Sequence, residues 1–115
     1  LGEALALGAS HGLDRQAMLD VVSASAVASP LLGYKAASVA ARDYAPAFPA
    51  RLMAKDFDLI LAAARRTGTP LPLAAQLGEA CRAMEARGDG EADFFKIVEL
   101  AGAAAGPDAT GAGER

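Results

Sequence analysis

With 115 residues, 53% apolar but only 5% aromatic, the chain is long enough for one domain whose core packs through small side chains, and too apolar to be disordered over most of its length. A net charge of −3, with no Lys/Arg run longer than two, lacks the electrostatic footprint of a nucleic-acid binder or of a protein held on an anionic membrane surface. No apolar run is long enough to span a bilayer, and no charged segment followed by an apolar one opens the chain as a secretory leader would.

The first residue is Leu1, not Met, so the sequence is expected to be a piece of a longer product whose upstream part holds chemistry. Gly2 to Ser10 reads as the end of a helix, with Ala4, Leu5, Gly8 and Ala9 as a small apolar face and Gly12 as the stop. His11, the one histidine, lies at that C-terminus, where a surface group favoured by the helix dipole is the simplest reading. Asp14 caps the next helix, which carries Met18, Leu19 and Val22 as its stripe and runs out into the Ser/Ala connector 23–29. Ser29 and Pro30 open a third helix, with Leu31, Leu32, Ala36, Val39 and Ala40 inward, and the segment 42–46 is expected to end it, Pro46 keeping the preceding residue out of the α region.

The longest helix follows, entered through Pro49 and closed by Arg65, Arg66 and Gly68. Phe48, just ahead of it, reads as a hydrophobic staple onto its first turns. At about 100° per residue, Leu52, Ala63, Ile60, Met53, Ala64, Phe57 and Leu61 share one broad apolar arc, with Asp58, Arg65, Lys55 and Arg66 opposite. Asp56 falls inside the apolar arc, between Ala63 and Ile60. A carboxylate there needs a partner: it caps a neighbouring helix, pairs with a buried Arg, or belongs to a site built across the helix.

Pro72 opens a further helix with Leu73, Leu77, Cys81 and Met84 at helical spacing, and Cys81 on that stripe reads as a buried, inert thiol. A single cysteine forms no internal disulfide, which suits a reducing compartment, and the cytoplasm is the expected location. Arg87 to Gly90 turns the chain into a last short helix over 93–100, with Phe94, Ile97, Val98 and Ala101 inward. No segment alternates as a half-buried strand does. The fold class is therefore all-α: a single bundle of about six helices over residues 1–101, followed by a disordered tail over 102–115.

Several chemistries lack their signatures. No Gly-rich phosphate turn follows a strand, no Cys/His set has metal-ligand spacing, and His11 has no recognisable nucleophile motif to serve. Asp56 and Asp58 lie two apart on different faces and form no acid/base pair. Phe48, Lys55 and Asp56 remain, and a Lys beside a pocket binds anions or a cofactor's polar groups.

Taken in order, Glu3–Leu7, Gly12-Leu13-Asp14, Phe48 followed by Leu52–Leu59 with its Lys55-Asp56 pair, Gly68-Thr69-Pro70-Leu71-Pro72-Leu73 and Asp93–Leu100 resemble the C-terminal helical domain of the β-hydroxyacid dehydrogenases, the group of 3-hydroxyisobutyrate dehydrogenase. The resemblance covers residues 2–101, and the Lys-Asp pair between the upstream Phe and the downstream Gly-x-Pro is its most specific part. It implies a parent enzyme with a separate NAD- or NADP-binding Rossmann domain, a small hydroxy acid or semialdehyde as substrate, and a homodimer. It further implies that the catalytic Lys lies before the point matching Glu3, so that no catalytic residue is in this stretch. Phe48 would wall the substrate pocket, Asp56 would join its carboxylate network, and Lys55 would contact the cofactor. The rival reading is a non-catalytic helical module for dimerisation or partner binding.

Overall fold

The structure is a computed structural model that describes residues 1–104. It is all-α: α1 Gly2–Ser10, α2 Arg15–Ser23, α3 Pro30–Ala41, α4 Ala50–Thr67, α5 Pro72–Ala86, a 3-10 turn over Phe94–Glu99, and α6 Leu100–Ala104. Among the described residues no strand forms, and none of the helices is long and apolar enough to cross a membrane. Residues 102–104, expected to open a disordered tail, end α6 instead; the rest of that expected tail lies outside the described residues. The elements group into two compact units, Leu1–Asp43 with residues 98–104, and Tyr44–Ile97.

In the first unit, α2 and α3 start where side-chain oxygens satisfy free helical N–H groups. Asp14 accepts from Ala17 N at 2.9 Å, and Ser29 accepts from Leu32 N at 3.2 Å. Leu5, Leu19, Leu32, Val39 and Val98 form the buried core, each large side chain contributing about 1.5–3 kcal/mol by leaving water. Arg15 ties the unit together, donating to Val39 O at 2.8 Å and pairing with the Glu99 carboxylate. α3 ends at the expected segment but by a different device. Arg42 takes the left-handed conformation, φ 53°, and its N–H returns to Ser38 O and Val39 O, so the helix stops before Pro46 can act. α1 approaches the chain near α6 without room for a side chain: a Cβ on Gly2 would stand 2.6 Å from Val98 O.

The second unit is the α4/α5 hairpin and the loop that returns to its base. Gly68 closes α4 at φ 69°, a conformation that glycine adopts without a Cβ penalty. The two helices meet through Gly78, where an added Cβ would stand 3.3 Å from Phe57 Cβ. Ala50, Ala54, Ala64, Cys81 and Met84 are buried. The inward face of α4 is thus the Ala50–Ala54–Phe57–Leu61–Ala64 side. Ile60 and Ala63, expected inward, face solvent. On α5 the expected stripe is buried only at its C-terminal end. Cys81 and Met84 are covered, whereas Leu73 and Leu77 are 73% and 46% exposed. The reason is the glycine: α4 settles against Gly78, to one side of the leucines. The last segment also differs, because Phe94–Glu99 winds as a 3-10 turn before α6 continues as an α-helix.

Candidate functional site

α4 begins without a side-chain cap. Pro49 stands at the cap position and makes no side-chain bond to the helix. Its first free donors are taken by the loop after α5: Ala50 N donates to Ala92 O, and Arg51 N to Gly90 O, both at 2.9 Å. Arg51 Nε also meets Glu91 Oε1 at 2.5 Å.

Asp93 completes this junction, with only 2% of its surface exposed. One carboxylate oxygen accepts from Ala47 N at 3.0 Å and Phe48 N at 3.2 Å, and the other accepts from Phe95 N at 3.0 Å. Asp93 N donates to Tyr44 O and Phe94 N donates to Phe48 O, each at 2.9 Å. A buried carboxylate is stable when backbone donors surround it in this way.

Phe48 is held at that junction. Its ring stands edge-on to Phe94, centroids 6.1 Å apart, and Phe94 stands edge-on to Phe95 at 5.5 Å. Phe48 thus joins a ring cluster built on the returning loop.

Lys55 and Asp56 lie further along α4, Asp56 about 9 Å along the axis from Ala50 at about 1.5 Å per residue. Lys55 Nζ is 3.4 Å from Asp56 Oδ1, with the two side chains 61% and 42% exposed. Two expectations change here. Asp56 is not enclosed in apolar surface, because the Ile60–Ala63 side of α4 is open, and its cation is the adjacent Lys55. So exposed a pair contributes only about 0–1 kcal/mol to folding, leaving an ammonium with several donors and a carboxylate acceptor for an external group. Asp58, one step on, is engaged by Arg82 of α5, which also holds Glu79 at 2.6 Å. The chain brings Lys55 and Asp56 together, and holds Phe48 at the helix entrance with Phe94.

His11 is exposed, its Nδ1 3.0 Å from Leu7 O. Cys81 is buried, and burial pushes its thiol up, aided by Glu85 and opposed by Arg82. No group of three or more potential metal ligands occurs among the described residues. In the first unit, a groove of about 600 Å³ between α1 and α2 is lined by Leu5, Leu7, Gly8, Leu13, Met18 and Val22 among others, with His11 and Asp14 at its polar edge. The sequence reading missed both this groove and the burial of Asp93. An Asp two residues before the amide it accepts from is a local signal; its bonds to residues 47 and 48 left none.

Residues 1–101 match the family model described as the NAD-binding domain of NADP-dependent 3-hydroxyisobutyrate dehydrogenase. The chain is 32% identical over 97 residues to glyoxylate/succinic semialdehyde reductase 1 of Arabidopsis thaliana, covering 84% of this chain and 34% of that protein. It is 32% identical over 98 residues to L-threonate dehydrogenase of Cupriavidus necator, covering 85% and 33%. The crystal structure of a 3-hydroxyisobutyrate dehydrogenase from Salmonella typhimurium superposes with a TM-score of 0.79 at 28% identity, over 86% of this chain and 35% of that one. The chain therefore spans about a third of the length of the curated relatives it matches.

Proposed function

This chain belongs to the family of NAD-binding domains of NADP-dependent 3-hydroxyisobutyrate dehydrogenase, and from that premise we propose that it is the C-terminal helical part of an NAD(P)-dependent dehydrogenase. The reaction is the reversible oxidation of a small 3-hydroxy acid to its semialdehyde. The observation that carries this reading is the Lys55–Asp56 pair, exposed on α4 within the matched residues and too weakly coupled to serve folding.

The donor set fits an edge contact to a dinucleotide and not its whole binding site. One ammonium and one carboxylate lie on a helix, with no Gly-rich turn after a strand among the described residues. Lys55 would hold polar groups of the cofactor near its nicotinamide end. The nicotinamide, when bound, supplies the hydride acceptor or donor. Phe48 walls the substrate side and excludes water. Asp56 accepts a hydrogen bond from a substrate or cofactor hydroxyl and keeps Lys55 oriented. None of these groups is assigned the proton transfer, so the chain by itself is not catalytic and needs the remainder of the enzyme.

A homodimer belongs to the same reading, supported by the apolar groove of the first unit, whose lining residues Leu7, Leu13 and Val21 are exposed. That surface also favours the rival reading, a helical dimerisation module without catalysis. The cytoplasm is the proposed compartment. In the complete dehydrogenase, Lys55→Ala raises the KM for NAD(P) about ten-fold. An unchanged KM and turnover would remove the cofactor role of Lys55, and a full-length protein without NAD(P)-dependent turnover would leave the module.

A further inference from the structure

The carboxylate of Asp93 does more than end a loop. Its oxygens take the backbone N–H of Phe48 and of Phe95, and the Phe94 N–H between them donates to Phe48 O. The same three phenylalanines form the chain of edge-on rings. One buried acid thus fixes the backbone under an aromatic cluster, one end of which, Phe48, sits at the entrance of α4. Arg51 and Glu91 brace the loop against α4, and Lys96 Nζ meets Asp89 Oδ1 at 2.6 Å within it. Phe48 has no helix of its own to hold it: it precedes Pro49, its backbone N–H donates to Asp93 and its carbonyl accepts from Phe94 N.

We propose that Asp93 is a positioning residue for the substrate pocket, setting the place of the Phe48 ring and through it the size of hydroxy acid accepted. The inference rests on the reading of Phe48 as the pocket wall. Asp93 touches neither substrate nor cofactor; it acts through the Ala47–Phe48 amides. An Asn at this position keeps the shape but turns an N–H₂ toward at least one of the three amides it must accept from, so the loop shifts while the ring's chemistry stays the same.

The test uses the complete dehydrogenase and a pair of 3-hydroxy acids with and without a methyl group at carbon 2. Asp93→Asn is expected to raise the KM for the hydroxy acid about ten-fold, leaving the KM for NAD(P) within about two-fold. It also changes the preference between the two acids by about five-fold or more. Calorimetric binding of the acid to the enzyme–NAD(P) complex weakens in parallel. Because both residues act as one unit, adding Asp93→Asn to Phe48→Ala costs no more than about two-fold further. A fall in thermal midpoint with KM and preference unchanged would mean that Asp93 is only structural and overturn the proposal. Effects that multiply with those of Phe48→Ala would overturn it too. If Asp93→Asn fails to fold, Asp93→Glu keeps both acceptor oxygens on a longer arm and carries the same test: a raised KM for the acid supports the proposal, an unchanged one refutes it. A wild-type enzyme without NAD(P)-dependent turnover defeats the functional reading itself, and the inference with it. An active enzyme that responds to Phe48→Ala but not to Asp93→Asn defeats the inference alone.

Discussion

Two carboxylates of the second unit exchange the roles that their sequence settings assign. Asp56, in the middle of an apolar helical arc, is half-exposed and leans on the neighbouring Lys55. Asp93, at the start of a short segment, is buried and accepts from three backbone amides. The contrast teaches that burial follows what packs on a helix, not the pattern alone. α5 meets α4 along the Ala54–Phe57–Leu61 side through Gly78, leaving Asp56 on the open side. The loop after α5 folds back on the entrance to α4 and encloses Asp93. An acid in the first setting is available for a ligand; one in the second is committed to holding the backbone.

The largest effect separates the two directly. Asp93→Ala strands amides that lose their acceptor, at roughly 1–3 kcal/mol for each one left unsatisfied. The expected loss is about 3 kcal/mol or more, read as a fall in the urea midpoint of the purified protein. A loss under about 1 kcal/mol would mean that water replaces the carboxylate and that the two acids are alike. Next in size, Gly78→Val tests the helix contact that opens the Asp56 side. Overpacking costs about 1–3 kcal/mol, and the same midpoint should show it. An unchanged midpoint would break the account of why α4 turns its Ile60 face outward.

A third acid, the buried Cys81 thiol, sharpens the contrast with a pH dependence. The Cys81 thiol is pushed up chiefly by burial. Its contribution to stability is fully present below the ordinary thiol range and is lost as pH rises through the raised folded value. Wild-type stability relative to Cys81→Ala should therefore decline in alkaline buffer, and a rising difference would contradict the burial. The smallest effect is on the exposed acid. Asp56→Asn should shift stability by no more than about 0.5 kcal/mol, while weakening substrate or cofactor binding in the complete enzyme. A large stability loss with unaltered binding would return Asp56 to a structural role.

Much of this architecture is legible along the chain because the signals are local. Asp14 and Ser29 cap the helices they precede, and Gly68 closes α4 in the left-handed conformation that only its missing Cβ makes easy. Helix number, the all-α class and the family follow from such signals and from the order of short segments around Lys55-Asp56. The site is legible as residues and not as geometry. Phe48, Lys55 and Asp56 are visible in the sequence, yet the ring partner of Phe48 is Phe94, brought near by the returning loop.

The sequence by itself determined the starts of α2 and α3 and the stop of α4, since caps, prolines and glycines act over one turn. Only the tertiary structure decided which side of α4 and which part of the α5 stripe is inward, because a periodic stripe gives a direction only when a neighbour packs on it. It likewise decided that Asp93 is buried: the amides of Ala47 and Phe48 lie far away along the chain, and a bond over that separation exists only once the fold has closed.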